Sequence, residues 1–300
     1  MKEKIVFLIN PFSGTGDKNS IPRLISTHLD NSKFEAETLL TQYAGHGAEL
    51  AEQKIKEGYN IIVAVGGDGT VNEIAGVVNN SAACLGIIPG GSGNGFCTHL
   101  GISRNPIKAI ESLNTGKKIM VDTCMLNNLF FLNVAGLGFD ARIAYLTKFN
   151  KKRGFFQYFL TSMRESRHFK PHYLDITIDG KLVSGYYTAA VAANASMYGY
   201  NFTVAPGAAL NDGLLDIMLI KEAPLYQYFL QAYRFLNKTL HQSNLTETYR
   251  AKEIIMKSPI PIHCQVDGEG HNEDTEFKVS INPKSLQILA PFQFEENLNS

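Results

Sequence analysis

Residues 61–78 read IIVAVGGDGTVNEIAGVV, and three signals follow one another within them. Ile61 to Val65 is an unbroken apolar run rich in β-branched side chains, as in a strand buried on both faces. Gly66-Gly67-Asp68-Gly69 interrupts it, and Val71, Ile74, Ala75 and Val78 then recur at helical spacing. Thr70 and Glu73 have the separation of a capping box, which predicts that the helix starts at Thr70. Glycines at such a turn let the backbone approach a polyphosphate, and the free N–H groups of the helix start point at it. Asp68 repels that ligand unless a Mg2+ ion lies between carboxylate and phosphate. The plainer alternative is a glycine turn in which Asp68 is only a turn former.

Outward from this stretch the same arrangement appears twice more. Ile5 to Ile9 runs into Asn10-Pro11-Phe12-Ser13-Gly14, and Leu85 to Ile88 runs into Pro89-Gly90-Gly91-Ser92-Gly93-Asn94-Gly95. Short β-branched runs alternate with helical patterns through the first 120 or so residues, which predicts a parallel sheet covered by helices. Ligands of open α/β sheets sit beyond the carboxyl ends of the strands, so the three turns are expected to line one site. The side chains of Ser92 and Asn94 are suited to hydrogen-bonding phosphate or ribose.

From about Asp122 the pattern changes. Leu174 to Ile178 alternates and ends at Asp179-Gly180, a hairpin signal. Further strands are expected over residues 186–193, 214–220, 254–257, 262–266, 277–281 and 286–290, with helices near 154–166 and 224–241. The organisation read from this is an α/β domain over 1–121 and an antiparallel sandwich over 122–300, the extreme C-terminus packing back on the first domain.

The 300 residues are 44% apolar, enough for a large core, and Lys plus Arg balances Asp plus Glu at 28 each. A neutral chain offers no global attraction to nucleic acid or to an anionic surface, so nucleic acid is not an expected partner and membrane contact must be local. Cys84, Cys97, Cys124 and Cys264 are far apart and read as small buried residues of a reducing compartment. The run from Ile5 to Ile9 is too short for a signal-peptide core, and no segment reaches the roughly 18 apolar residues of a membrane span. These features predict a cytoplasmic protein in transient contact with the inner membrane surface.

Taken together, Asn10-Pro11 with Ser13-Gly14, Thr41 with Gly45-His46 and Ala48, GGDGTVNE and IPGGSGNG resemble the diacylglycerol kinase catalytic family. Soluble bacterial diacylglycerol kinases and the sphingosine and ceramide kinases are members of that family. Gly138-Phe139-Asp140, Ala205-Pro206, Asn211 to Asp216 and Val266-Asp267-Gly268-Glu269 extend the resemblance over almost the whole chain. It implies an N-terminal three-layer α/β domain like that of NAD kinases and phosphofructokinases, followed by a β-sandwich that takes the lipid substrate. It further implies an ATP site between the domains, formed by Asn10, Pro11, Phe12, Ser13, Gly14, Thr41, Gly66, Gly67, Asp68, Gly69, Thr70, Val71, Asn72 and Ser92. The catalytic residues it implies are Glu269, as general base on a lipid hydroxyl, Asp267 close by, and Asp68. Carried over by position, a structural Mg2+ would be held by Asp212 and the backbone carbonyls of Ala209 and Leu214. Many members have Asp where this chain has Gly95, and the Gly-Ser-Gly-Asn form is closer to sphingosine kinases. The lipid, diacylglycerol-type or sphingoid-type, stays open, as does a homodimer.

Other readings compete. NAD kinases share the GGDGT turn and act on a soluble substrate. Gly136-Leu137-Gly138-Phe139-Asp140-Ala141 fits the G-x-G-x-x-A of a dinucleotide-dependent oxidoreductase, but no βαβ unit surrounds it. A non-catalytic lipid-binding module is the third, opposed by the presence of both Asp68 and Glu269. Pro171 between His168 and His172 interrupts the helix that would align them as metal ligands. His46 is readable as a nucleotide contact or as a surface or capping residue. Finally, Lys148, Lys151, Lys152, Arg153, Arg164, Arg167 and Lys170 flank Phe155, Phe156, Tyr158, Phe159, Leu160 and Met163, the composition of an interfacial helix. The bland reading of that stripe is a core-packed helix.

Overall fold

The computed structural model describes residues 2–14, 20–91, 93–148, 155–199, 202–231, 233–237 and 239–294. Ser92, Lys151, Lys152 and Arg153 lie outside the described residues, as do the side chains of Phe155 and Phe156. Two compact units divide the chain: residues up to Val121 together with those from Lys284 onward, and Asp122–Pro283.

The first unit runs β1 (Glu3–Ile9), α1 (Ile21–His28), β2 (Phe34–Leu40), α2 (His46–Lys56), β3 (Ile61–Gly66), α3 (Asp68–Val78), β4 (Cys84–Pro89), α4 (Gly95–His99) and α5 (Pro106–Thr115). Its strands are parallel in the order β4-β3-β1-β2, and Ile288 adds a parallel partner beside Leu85 of β4. Every residue of β3 and β4 is buried, which is why they read as continuous apolar runs. Strand β2, FEAETLL, is a charged edge strand whose single buried residue is Phe34; glutamates on an edge discourage pairing with other chains.

Helix α3 starts at Asp68, two residues before the expected Thr70, with Gly67 in extended geometry as its cap. The capping box is absent because both of its side chains are engaged elsewhere. Thr70 Oγ1 accepts from Asn10 Nδ2 at 2.9 Å, and Glu73 Oε1 accepts the Ala48 N–H at 3.0 Å.

Between the units runs β5 (Lys117–Leu126), after which the second unit continues with β6 (Leu129–Phe131), β7 (Val134–Gly138), α6 (Phe139–Lys148), α7 (Phe155–Glu165), β8 (His172–Ile178), β9 (Lys181–Ala193), β10 (Met197–Gly199), β11 (Phe202–Thr203), β12 (Leu215–Lys221), α8 (Leu225–Gln231), α9 (Tyr233–Leu236), β13 (Thr246–Ala251), β14 (Glu253–Val266) and β15 (Glu269–Ala290). The last residues of β15 belong to the first unit. Neighbours in the order β13-β12-β9-β7-β14-β15 are antiparallel. Hairpin β8-β9 forms at Asp179-Gly180, both with positive φ, and β8 also pairs with the first part of β14. The long strands β9 and β14 thus serve two sets of partners each, and a core including Phe131, Leu174, Ile176, Leu215, Ile254 and Phe277 fills the sandwich.

Two strand pairs expected from the sequence are single strands. Segments 254–257 and 262–266 are one strand whose register shifts between Lys257 and Ile262. Pro259 and Pro261 lie in that interval, and an irregularity in the ladder is where proline's missing N–H is tolerated. His172 opens β8 and packs edge-on against Phe169, while His168 is exposed after α7, so the two share no helix face.

Candidate active site

In the first unit the three glycine turns meet at the carboxyl ends of β1, β3 and β4, so closely that side chains are excluded. A Cβ on Gly14 would lie 1.9 Å from the Gly90 carbonyl oxygen, and one on Gly91 would lie 2.6 Å from Gly67 Cα. Contacts that short are impossible, so the sequence must carry glycine at these places. Backbone bonds fix the stack: Asn10 N–H donates to Val65 O at 2.9 Å and Gly90 N–H to Gly66 O. No side chain caps α3, so its first N–H groups remain directed at the turn.

Asn94 ties the third turn to the second. With positive φ and 2% exposure, it donates its backbone N–H to Asp68 Oδ2 at 2.7 Å. Its side chain is spent on Gly91, accepting the N–H and donating to the carbonyl. The expectation that Asn94 reaches phosphate or ribose is therefore corrected: its amide shapes the loop. Val71 is buried in the core and offers only its backbone. Thr41 is buried too, its N–H bonded to Ile9 O at 2.9 Å at the end of β2.

The second unit presents the turn Asp267-Gly268, both residues with positive φ, from which Glu269 begins β15. Asp267 Oδ1 accepts the N–H groups of Asn133 (2.9 Å) and Val134 (3.1 Å), and Oδ2 accepts that of Leu132 (3.0 Å). A carboxylate so occupied braces the turn and is poorly placed to take a proton, so Asp267, expected among the catalytic residues, stands here as a brace of the turn that carries Glu269. Gln265 accepts the Gly268 N–H at 2.9 Å and donates to Asp140 Oδ2 at 3.1 Å. Glu269 is exposed and ion-paired with Lys148 Nζ at 3.0 Å. Sequence reasoning missed Gln265 and placed Lys148 in a surface patch; their partners are distant along the chain and no local motif signals them.

The oxidoreductase motif dissolves in the same network. A Cβ on Gly136 would lie 2.5 Å from Asp140 Oδ2, and one on Gly138 would lie 2.4 Å from the Thr188 carbonyl oxygen. These glycines make room for a side chain and a neighbouring strand.

The loop expected to hold a structural Mg2+ does not fit that ion as arranged. Asp212 is ion-paired with Arg250 through Oδ2, and its Oδ1 accepts the Leu214 N–H at 3.0 Å. Arg250 also lies 3.7 Å from Asp216, so a guanidinium already supplies the local positive charge. Burial pushes the Asp216 carboxyl up, and the guanidinium opposes it. Gly213 N–H donates to the buried Asp122 at 2.7 Å, which fixes the loop from the other side. Among the described residues no group of three or more His, Cys, Asp or Glu is placed to hold a metal.

The family model for the diacylglycerol kinase catalytic domain matches residues 4–126, and that for the YegS C-terminal NAD kinase beta sandwich-like domain matches 133–290. The chain belongs to the diacylglycerol kinase catalytic family. It is accordingly an enzyme of the lipid kinase class. The diacylglycerol kinase of Bacillus subtilis is 29% identical over 271 residues, covering 87% of this chain and 88% of that protein. A diacylglycerol kinase of Staphylococcus aureus is 27% identical over 277 residues, covering 90% and 87%. Among solved structures, a diacylglycerol kinase from Bacillus anthracis superposes with a TM-score of 0.75 at 20% identity over 97% of this chain and 98% of that one. An NAD kinase from Archaeoglobus fulgidus in complex with ATP gives 0.55 at 16% identity over 98% and 97%. Both likenesses are of fold.

As a lipid kinase, the chain has its glycine cradle and Asp68 in one unit and the braced Glu269 turn in the other. Helix α7 completes the inventory. Tyr158, Phe159, Leu160 and Met163 are all exposed, Phe159 at 48% and Leu160 at 45%, which is not the packing of a core helix. Among the described residues no helix is long and apolar enough to cross a membrane.

Proposed function

We propose that this kinase transfers the γ-phosphoryl group of ATP to a lipid hydroxyl, with diacylglycerol-type or sphingoid-type lipids as the acceptors. The observation that carries the ATP reading is the glycine cradle: Gly14 against Gly90 and Gly67 against Gly91, beside a helix start that no side chain caps. In this reading Glu269 takes the hydroxyl proton while the lipid oxygen attacks the γ-phosphorus, and the bond to the bridging oxygen of the departing ADP breaks. Asp68, first residue of α3 and part of the cradle, is the acid suited to Mg2+ here; when bound, that ion would neutralise phosphate charge. Lys148 holds Glu269 in place, and Asp267, Gln265 and Asp140 hold its turn. The experiment is a radiolabelled ATP assay against diacylglycerol, monoacylglycerol, sphingosine, ceramide, undecaprenol and NAD, each product identified by mass. A phosphorylated lipid is expected; phosphorylation of NAD alone, or of nothing, sinks the reading.

The acceptor resides in a bilayer, and α7 supports docking on an anionic membrane surface. Its exposed apolar residues are followed by exposed Arg164, Arg167 and Lys170, an arrangement suited to headgroup phosphates and acyl chains. Each basic residue at such a surface contributes about 1 kcal/mol, weakened by salt. Replacing Lys151, Lys152 and Arg153 together with Gln should weaken binding to anionic vesicles while leaving turnover of a micelle-dispersed short-chain lipid unchanged. Equal vesicle binding across a salt series would remove the docking role.

A further inference from the structure

The Glu269 side chain is exposed, so its aim depends on what reaches it from elsewhere in the second unit. Lys148 reaches it: Nζ lies 3.0 Å from Glu269 Oε1 and donates to the Gly270 carbonyl oxygen at 3.3 Å. Lys148 is the last residue of α6 and is itself exposed. A lysine has many rotamers to lose, so it holds a partner only as firmly as the helix that carries it is held.

Helix α6 lies directly on the backbone of β15. A Cβ on Gly270 would stand 2.2 Å from Tyr145 N and 2.3 Å from Tyr145 Cα, which leaves room for glycine alone. That approach fixes the spacing of helix and strand. It does not stop the helix from turning about its own axis.

The Tyr145 side chain supplies the stop. Its ring lies face to face on the His263 imidazole, with centroids 3.8 Å apart and planes 17° apart. His263 stands opposite Glu273 in the β14–β15 ladder, and its Nε2 lies 3.3 Å from Glu273 Oε1. At the other edge of the ring, Nδ1 lies 3.2 Å from the His271 carbonyl oxygen, an acceptor only, so the ring donates there. The imidazole is thus fastened to the strand that begins with Glu269. Tyr145 and Lys148 are three residues apart on α6 and share a face. The stack on His263 and the ion pair with Glu269 are therefore two fastenings of one helix face to one strand.

We infer that Tyr145 and His263 are positioning residues for phosphoryl transfer: their stack sets the rotation of α6 and, through Lys148, the aim of Glu269. The inference rests on the proposed role of Glu269 as the base and adds the groups that aim it. Neither ring takes the proton.

A double-mutant cycle tests it, using steady-state kinetics with ATP and the lipid phosphorylated in the panel assay, and urea unfolding of the same preparations. Tyr145→Ala and His263→Ala should each lower kcat roughly 10-fold, within the factor of about 10² that a 1 Å displacement costs, with KM for ATP unchanged. Tyr145→Phe, which keeps the ring, should restore most of the turnover. In a Lys148→Met background, Tyr145→Ala should lower kcat by less than about twofold more, because the contact it acts through is gone. A merely structural role, or a smaller fraction of folded enzyme, would give the same loss with and without Lys148, and that result overturns the inference. Unchanged kcat in Tyr145→Ala overturns it too, whatever the urea midpoint does. Glu269→Gln, run in the same series, separates this inference from the reading beneath it. If that variant keeps the parent's turnover, the base assignment falls and the positioning pair with it. If it loses turnover while Tyr145→Ala does not, only the pair falls.

Discussion

The glycine cradle of the first unit and the Glu269 turn of the second are built from opposite materials. The cradle is backbone against backbone: Gly14 meets Gly90, Gly67 meets Gly91, and the donors it offers are main-chain N–H groups. Around Glu269 the work is done by side chains, with Asp267 on three N–H groups, Gln265 on Gly268 and Asp140, and Lys148 on Glu269 itself. A backbone site binds phosphate without needing a titrating group. A side-chain site supplies one, and must hold it in place through a network of partners.

The largest expected effect falls on the second site. Glu269→Gln keeps size and removes the proton acceptor, so kcat should fall by about 10² to 10⁴. Because the residue is exposed, the urea midpoint should stay with the parent; a loss below threefold would erase the chemical half of the contrast. On the backbone side, Gly91→Ala should lower kcat/KM for ATP by roughly 10², the cost of shifting reactive groups by about 1 Å. Wild-type kinetics in that variant would show that the cradle has slack which the 2.6 Å approach denies.

Asp267→Asn separates bracing from chemistry. Losing a charged acceptor of three N–H groups should cost about 1.5 to 3 kcal/mol in urea unfolding. If stability is unchanged while turnover collapses as in Glu269→Gln, Asp267 belongs to the chemistry after all. The smallest effect is expected for Lys148→Met. Its exposed ion pair should be worth no more than about 1 kcal/mol, with kcat reduced by less than in Glu269→Gln.

The same contrast explains what the sequence made legible. Gly66-Gly67-Asp68-Gly69 and the Pro89 to Gly95 loop announce themselves because glycine at a strand end is a local signal with a local cause. Asp267 and its partners at residues 132–134 are more than 130 positions apart along the chain, and nothing near either end reveals the pairing. Thr70 and Glu73 misled for the converse reason: a local capping pattern was overridden by the distant partners Asn10 and Ala48. In the sandwich, strand existence was readable from alternation, but continuity was not. Pro259 and Pro261 look like a break and are absorbed by a register shift. The apolar face of α7 was equally undecidable, since an amphipathic stripe reads the same whether it meets a core or a membrane.

Contact between two glycines also limits how the enzyme tolerates change. When a core side chain is enlarged, a neighbour trimmed by one methylene often makes room again. At Gly14 with Gly90, and at Gly67 with Gly91, neither partner has anything to trim. A search for second-site suppressors of Gly91→Ala should therefore return no compensating residue at Gly67. Any revertants should instead change the length of a turn or restore the glycine.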